Sequence, residues 1–76
     1  MNIESEYKMK WSNVQNFLDK KHWSQRVLSE KSGIPITTLD KYKFYGNEPS
    51  FTNACKIADA LEISLDELRK DDENEY

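Results

Sequence analysis

The sequence predicts an all-α domain of five short helices with a helix-turn-helix at its centre. Three observations carry this. Apolar residues recur at three- and four-residue spacing along most of the chain. Gly33 and Pro35 punctuate two of those periodic segments within three residues of each other. Ser24, Ser50 and Ser64 stand just ahead of periodic stretches, where helix N-caps belong.

Residues 1–10 are mixed and polar and read as an N-terminal arm, ordered or frayed. Trp11, Val14, Phe17 and Leu18 follow i, i+3, i+6, i+7, which predicts an amphipathic first helix over Ser12–Lys20. Ser12 with Gln15 offers that helix a capping box, with a start one turn earlier as the alternative. Lys20, Lys21 and His22 form its exit, where cations suit the negative end of the helix dipole. Ser24 caps a second helix with Val27 and Leu28 on one face, and Gly33 suits the left-handed residue that ends it. Pro35 pre-sets φ for a first helical turn, and Ile34, Leu39 and Tyr42 recur at helical spacing around it. The third helix is thus predicted at about 35–43. Two short helices joined by a glycine-containing turn are the device that presents its second member to the DNA major groove.

Gly46, Asn47 and Pro49 make a loop after it. Ser50 caps a fourth helix, whose predicted buried stripe is Phe51, Ala54, Ile57, Ala58 and Leu61. Glu62 and Ile63 turn the chain, and Ser64 with Glu67 reads as a capping box for a short fifth helix carrying Leu65 and Leu68. The domain so defined covers residues 11–70. Residues 71–76, DDENEY without its lysine neighbour, have no apolar periodicity and read as an acidic tail.

Seventy-six residues make one domain. Only 37% of them are apolar, so the core must be small, and Trp11, Phe17, Trp23, Tyr42 and Phe51 are expected to supply much of it. No run is long enough to span a membrane, and the first ten residues lack the apolar stretch of a signal peptide. A single cysteine, Cys55, excludes an intramolecular disulfide, which makes a reducing, cytoplasmic setting the default. The net charge of −3 argues at first against a nucleic-acid partner. Its distribution changes that reading. Residues 66–76 carry six acids against Arg69 and Lys70, whereas from Lys8 to Lys56 nine bases face Asp19, Glu30, Asp40 and Glu48. The helix-turn-helix therefore sits in a basic segment with an acidic end attached.

With these pieces in order, the chain resembles the Cro/C1-type, phage-repressor-like helix-turn-helix family. The resemblance covers roughly residues 11–69 and rests on SQRVLSEKSGI across the turn, TTLDKY in the third helix, and EPSFTNACKIADALEISLDEL after it. It implies a compact five-helix lambda-repressor-like DNA-binding domain. Three positions depart from the family's pattern. Ser29 stands where the family usually has alanine at the helix crossing, and serves there if its hydroxyl bonds back to a carbonyl. Leu18 and Lys43 replace both partners of a frequent Arg–Glu ion pair, an exchange that can be neutral for stability. Ile36, Thr37 and Thr38 occupy DNA-facing positions that are often amide-rich.

The resemblance makes Gln25 a phosphate contact that braces the third helix, and its place at a helix start suits an anion. Thr37, Thr38 and Lys41 lie opposite Leu39 and Tyr42 and so face outward. Threonine can donate, accept or touch a thymine methyl, lysine can reach a guanine edge or a phosphate, and Ile36 can cover a thymine methyl or anchor a protein. Asp40 would repel phosphate unless it accepts from a cytosine amino group. Asn47 and Ser50 fall where the family contacts phosphate, and Lys43 and Tyr45 could add to that or serve solubility. Cys55 reads as a packing residue without a partner base, and His22 is the single histidine. No phosphate loop, nucleophile motif or metal-ligand spacing appears, so no enzyme and no cofactor are read. The leading expectation is a sequence-specific, repressor-like regulator of double-stranded DNA, used as a homodimer. The alternative is a protein-interaction module of phage or mobile-element type built on the same fold.

Overall fold

A computed structural model describes residues 7–69. These form α1 (Trp11–Lys21), α2 (Gln25–Ser32), α3 (Ile36–Tyr45), α4 (Phe51–Leu61) and the single turn α5 (Asp66–Arg69), with no strand among the described residues. The acidic tail, 71–76, and the first six residues of the predicted arm lie outside them. The all-α, lambda-repressor-like architecture is as predicted.

Eleven side chains close one core. They are Val14 and Leu18 from α1, Leu28 from α2, Ile34 from the turn and Leu39 and Tyr42 from α3. Ala54, Ile57, Ala58 and Leu61 from α4 and Leu68 from α5 complete it. α2 packs against both α3 and α4, and α5 closes over α1. The expectation of an aromatic core is corrected: only Tyr42 enters it. Trp11, Phe17 and Trp23 are half-buried around its edge, and Phe51 is 48% exposed although it was assigned to the buried stripe of the fourth helix. Size explains the difference. Aliphatic side chains fill a core this small at close packing, and bulky rings fit its rim, where one face stays open. Lysines cover several of those faces: Lys20 lies 5.3 Å from the Phe17 ring centre, and Lys21 and Lys31 lie 5.1 and 5.4 Å from that of Trp23.

The start of α1 also differs from expectation. The helix begins at Trp11, and Ser12 lies inside it, so the Ser12–Gln15 capping box does not form. Gln15 instead accepts from Trp11 Nε1 (3.1 Å) and donates to Asp19 (3.0 Å). A tertiary bond sets the boundary: the Lys10 N–H donates to the Leu68 carbonyl at 3.0 Å. Buried Asn13 donates to the same carbonyl from its Nδ2 (3.1 Å). Residues 7–10 are therefore a strap. Tyr7 N–H donates to the Pro49 carbonyl (2.7 Å), its hydroxyl donates to the Leu65 carbonyl (3.0 Å), and its ring meets Phe51 edge-on at 5.9 Å. At the other end, the Glu67 N–H donates to the Ser64 carbonyl (3.1 Å) where α5 begins.

Candidate nucleic-acid interface

The α2–turn–α3 unit is held by a short chain of polar contacts. Ser24 Oγ accepts from the Val27 N–H, capping α2 as predicted. α2 ends at Gly33, whose φ of 77° is a left-handed value that side chains resist, although a Cβ there would meet nothing within 4 Å. Ser29 does not bond back along its own helix. Its Oγ donates forward across the turn to the Ile34 carbonyl at 2.6 Å, while Ser32 Oγ accepts from the Ile34 N–H. A serine at the helix crossing thus ties the turn that an alanine could only pack against.

Pro35 stands one position earlier than predicted, as the residue ahead of α3, with φ −56° and ψ 143°. Its carbonyl accepts from both Thr38 and Leu39 N–H groups. α3 runs two residues past its predicted end at 43. Gly46, left-handed at φ 71°, then stops it.

About 100° of rotation per residue defines the faces of α3. Leu39 and Tyr42 face the core, and the Tyr42 hydroxyl accepts from Asn53 Nδ2 of α4 at 3.0 Å. Thr37 and Lys41 lie opposite and are exposed, as predicted. Ile36 and Thr38 are half-buried on the two flanks, so these predicted base-facing residues border the outward face instead of centring it. Ile36 shares its flank with Asp40, which accepts a short hydrogen bond from Gln25 Nε2 at the start of α2. Gln25 therefore braces α3, and Asp40 has a partner within the fold. Its carboxylate bears on α2 and is not simply aimed at phosphate.

Of the predicted phosphate contacts, Lys43, Tyr45, Asn47 and Ser50 are all exposed, and Gln25 is half-buried. Asn47 follows Gly46 and donates its N–H to the Lys41 carbonyl (3.2 Å). Ser50 Oγ accepts from the Asn53 N–H and caps α4 as predicted. Sequence reasoning missed Phe44, 67% exposed on the outward face; counting four and then three from Thr37 through Lys41 would have found it. It also missed the Asp40 partner, because a bond spanning 15 residues has no local signature. Among the described residues no cluster of His, Cys, Asp or Glu could hold a metal ion, and no helix is long and apolar enough to cross a membrane.

Fold and face together define a helix-turn-helix domain with an open second helix. Residues 14–68 match the helix-turn-helix family. The chain belongs to that Cro/C1-type family. A curated relative, the cryptic phage CTXphi transcriptional repressor RstR of Vibrio cholerae serotype O1 (strain ATCC 39315 / El Tor Inaba N16961), is 44% identical over 45 residues. That match covers 59% of this chain and 40% of the relative's length. No solved structure matches the chain.

Proposed function

We propose that this protein is a sequence-specific DNA-binding transcriptional regulator of repressor type, acting in the cytoplasm as a homodimer with α3 in the major groove. The observation that carries the reading is the outward face of α3. Thr37 and Lys41 are solvent-open on a helix whose inner face is locked into the core and whose flank is pinned to α2 by Gln25 and Asp40. A face held at a fixed angle, with a hydroxyl and a cation open to solvent, is what base-edge recognition needs. The starts of α2 and α4 supply backbone N–H groups and positive dipole ends on either side, suited to phosphates near Gln25 and Ser50. A single module of this size reaches one half-site, and a twofold-related pair would read two. A second reading, capture of a protein partner, draws on the exposed Phe44 and Tyr45 and on the acidic net charge.

Thr37→Asp tests the docking. Thr37 is exposed and second in α3, where an acid suits the helix dipole, so the variant should fold at least as well as the wild type. It also puts a negative charge where the groove floor would be. Mobility shift against duplexes selected from a randomised pool, over a salt series, should show specific binding by wild type and a loss of about 100-fold or more in the variant. Unchanged binding of the same duplex by folded Thr37→Asp sinks the docking. If the wild type binds no duplex at low salt, the protein-capture reading takes its place.

A further inference from the structure

Phe44 lies at the centre of the face of α3 that points away from the core. At about 100° per residue, Thr37, Lys41 and Phe44 fall close to one line, opposite Leu39 and Tyr42. The ring is 67% exposed and is not among the side chains of the core or of its rim. Lys43 Nζ lies 5.2 Å from the ring centre and brings a cation to the same end of the helix.

We propose that Phe44 packs against the C5-methyl group of a thymine in the major groove and so sets part of the sequence specificity. The inference rests on the docking of α3 set out above and adds a residue and a base to it. The argument is chemical. The groove floor presents N7, O6 and O4 acceptors and amino donors, each of which wants a polar partner, and a benzyl ring offers none. The thymine methyl is the one apolar feature there, and covering it releases water from both surfaces. Position agrees with this. Seven residues separate Thr37 from Phe44, about 10 Å along the helix axis. For a helix lying along the groove, whose winding path per base pair is longer than the ~3.4 Å axial rise, that is fewer than three base-pair steps. The thymine therefore lies within about three base pairs of the bases nearest Thr37. The Lys43 ammonium beside the ring brings to this end of the helix a cation that the phosphates lining the groove attract.

The test replaces each thymine of a selected half-site, one at a time, by deoxyuridine, which lacks only the C5-methyl. Each duplex is titrated with wild type, Phe44→Ala and Phe44→Leu. At one thymine, uracil should weaken wild-type binding about three- to fivefold, the worth of one buried methyl group. At that position Phe44→Ala should lose about as much on the thymine duplex and show no further loss on the uracil duplex. Phe44→Leu should keep most of the preference for thymine. The exposed position makes all three proteins comparable in fold, which circular dichroism would verify. If uracil costs Phe44→Ala the same factor as wild type at every position, Phe44 touches no thymine methyl and the inference is overturned while the docking stands. A loss in Phe44→Ala that is uniform across sequences and accompanied by a smaller oligomer in sedimentation overturns it too, since the ring then belongs to a contact between copies. Failure of the wild type to select any duplex removes the docking itself and this contact with it.

Discussion

The two faces of α3 are made of residues under different demands. On the inner face Leu39 is fully buried and Tyr42 is 7% exposed, with its hydroxyl tied to Asn53 of α4. On the outer face Thr37 and Lys41 are open, and Phe44 is 67% exposed. Folding specifies the first set, because each member fills space or satisfies a polar group that burial has cut off from water. It leaves the second set free. The Gln25–Asp40 bond on the flank and the Ser29–Ile34 bond across the turn couple the two, because they hold the outer face at a fixed angle to the rest of the domain. The contrast predicts that substitutions should sort by face: inner ones act on stability, outer ones on binding, and the coupling residues on both.

The largest effects belong to the core. Leu18 is 1% exposed and Leu39 fully buried, so either residue replaced by alanine should lose about 2–5 kcal/mol of stability. In a domain of this size that lowers the melting temperature by about 10 °C or more, read by thermal denaturation followed by circular dichroism. A loss under about 1 kcal/mol at Leu39 would mean that α3 is not held from its inner face, and the comparison would fail at its first step.

The same contrast explains what was legible in the sequence. Inner residues repeat at helical spacing, so Val14, Leu18, Leu28, Leu39, Ile57, Leu61 and Leu68 were found from periodicity alone. The caps Ser24 and Ser50 and the stop Gly33 were equally local. Aromatics misled, because hydrophobicity alone does not separate a core position from a rim position, and Phe51 and the two tryptophans are rim residues. The helix starts at Trp11 and Ile36 were shifted from expectation for another reason. A backbone bond from Lys10 to Leu68 and the turn geometry at Pro35 decide them, and neither is visible in a local window. Outer residues could be read only by elimination, as positions opposite the core stripe. That suffices to nominate Thr37 and Lys41. It left out Phe44, whose apolar character argued for burial, and it set Ile36 and Thr38 too squarely outward.

A middle-sized effect is expected where the faces are coupled. Ser29→Ala removes the donor that lies 2.6 Å from the Ile34 carbonyl, in a turn whose Ile34 side chain is 1% exposed. Leaving that carbonyl without its partner should cost about 1–2 kcal/mol, measurable by urea denaturation. Because the bond also sets the angle of α3, duplex affinity corrected for the folded fraction should drop as well. An equal or greater stability in Ser29→Ala would show that Gly33 and Pro35 hold the turn by themselves. It would also sharpen the comparison by removing one of its two couplings.

The smallest effect on folding, and the most diagnostic, is expected at Lys43. Its side chain is exposed at the end of α3, and its one described contact is the ammonium over the Phe44 ring at 5.2 Å. An exposed cation–ring contact of this kind contributes about 0.5–1 kcal/mol at most. Surface changes away from caps and buried networks generally stay within about 0.5 kcal/mol, so Lys43→Ala should leave the melting curve nearly where it was. Binding should respond differently. If Lys43 meets a phosphate, affinity should fall for selected and unrelated duplexes alike, and the slope of log K against log salt should shrink by about one unit. A folding loss well above 1 kcal/mol would put Lys43 in a structural role, in the region the departed Arg–Glu pair would have occupied. A loss of affinity confined to one duplex sequence would instead move it from the backbone to a base edge. Silence in folding together with a uniform, salt-dependent loss in binding is the behaviour of an exposed side chain that folding leaves free.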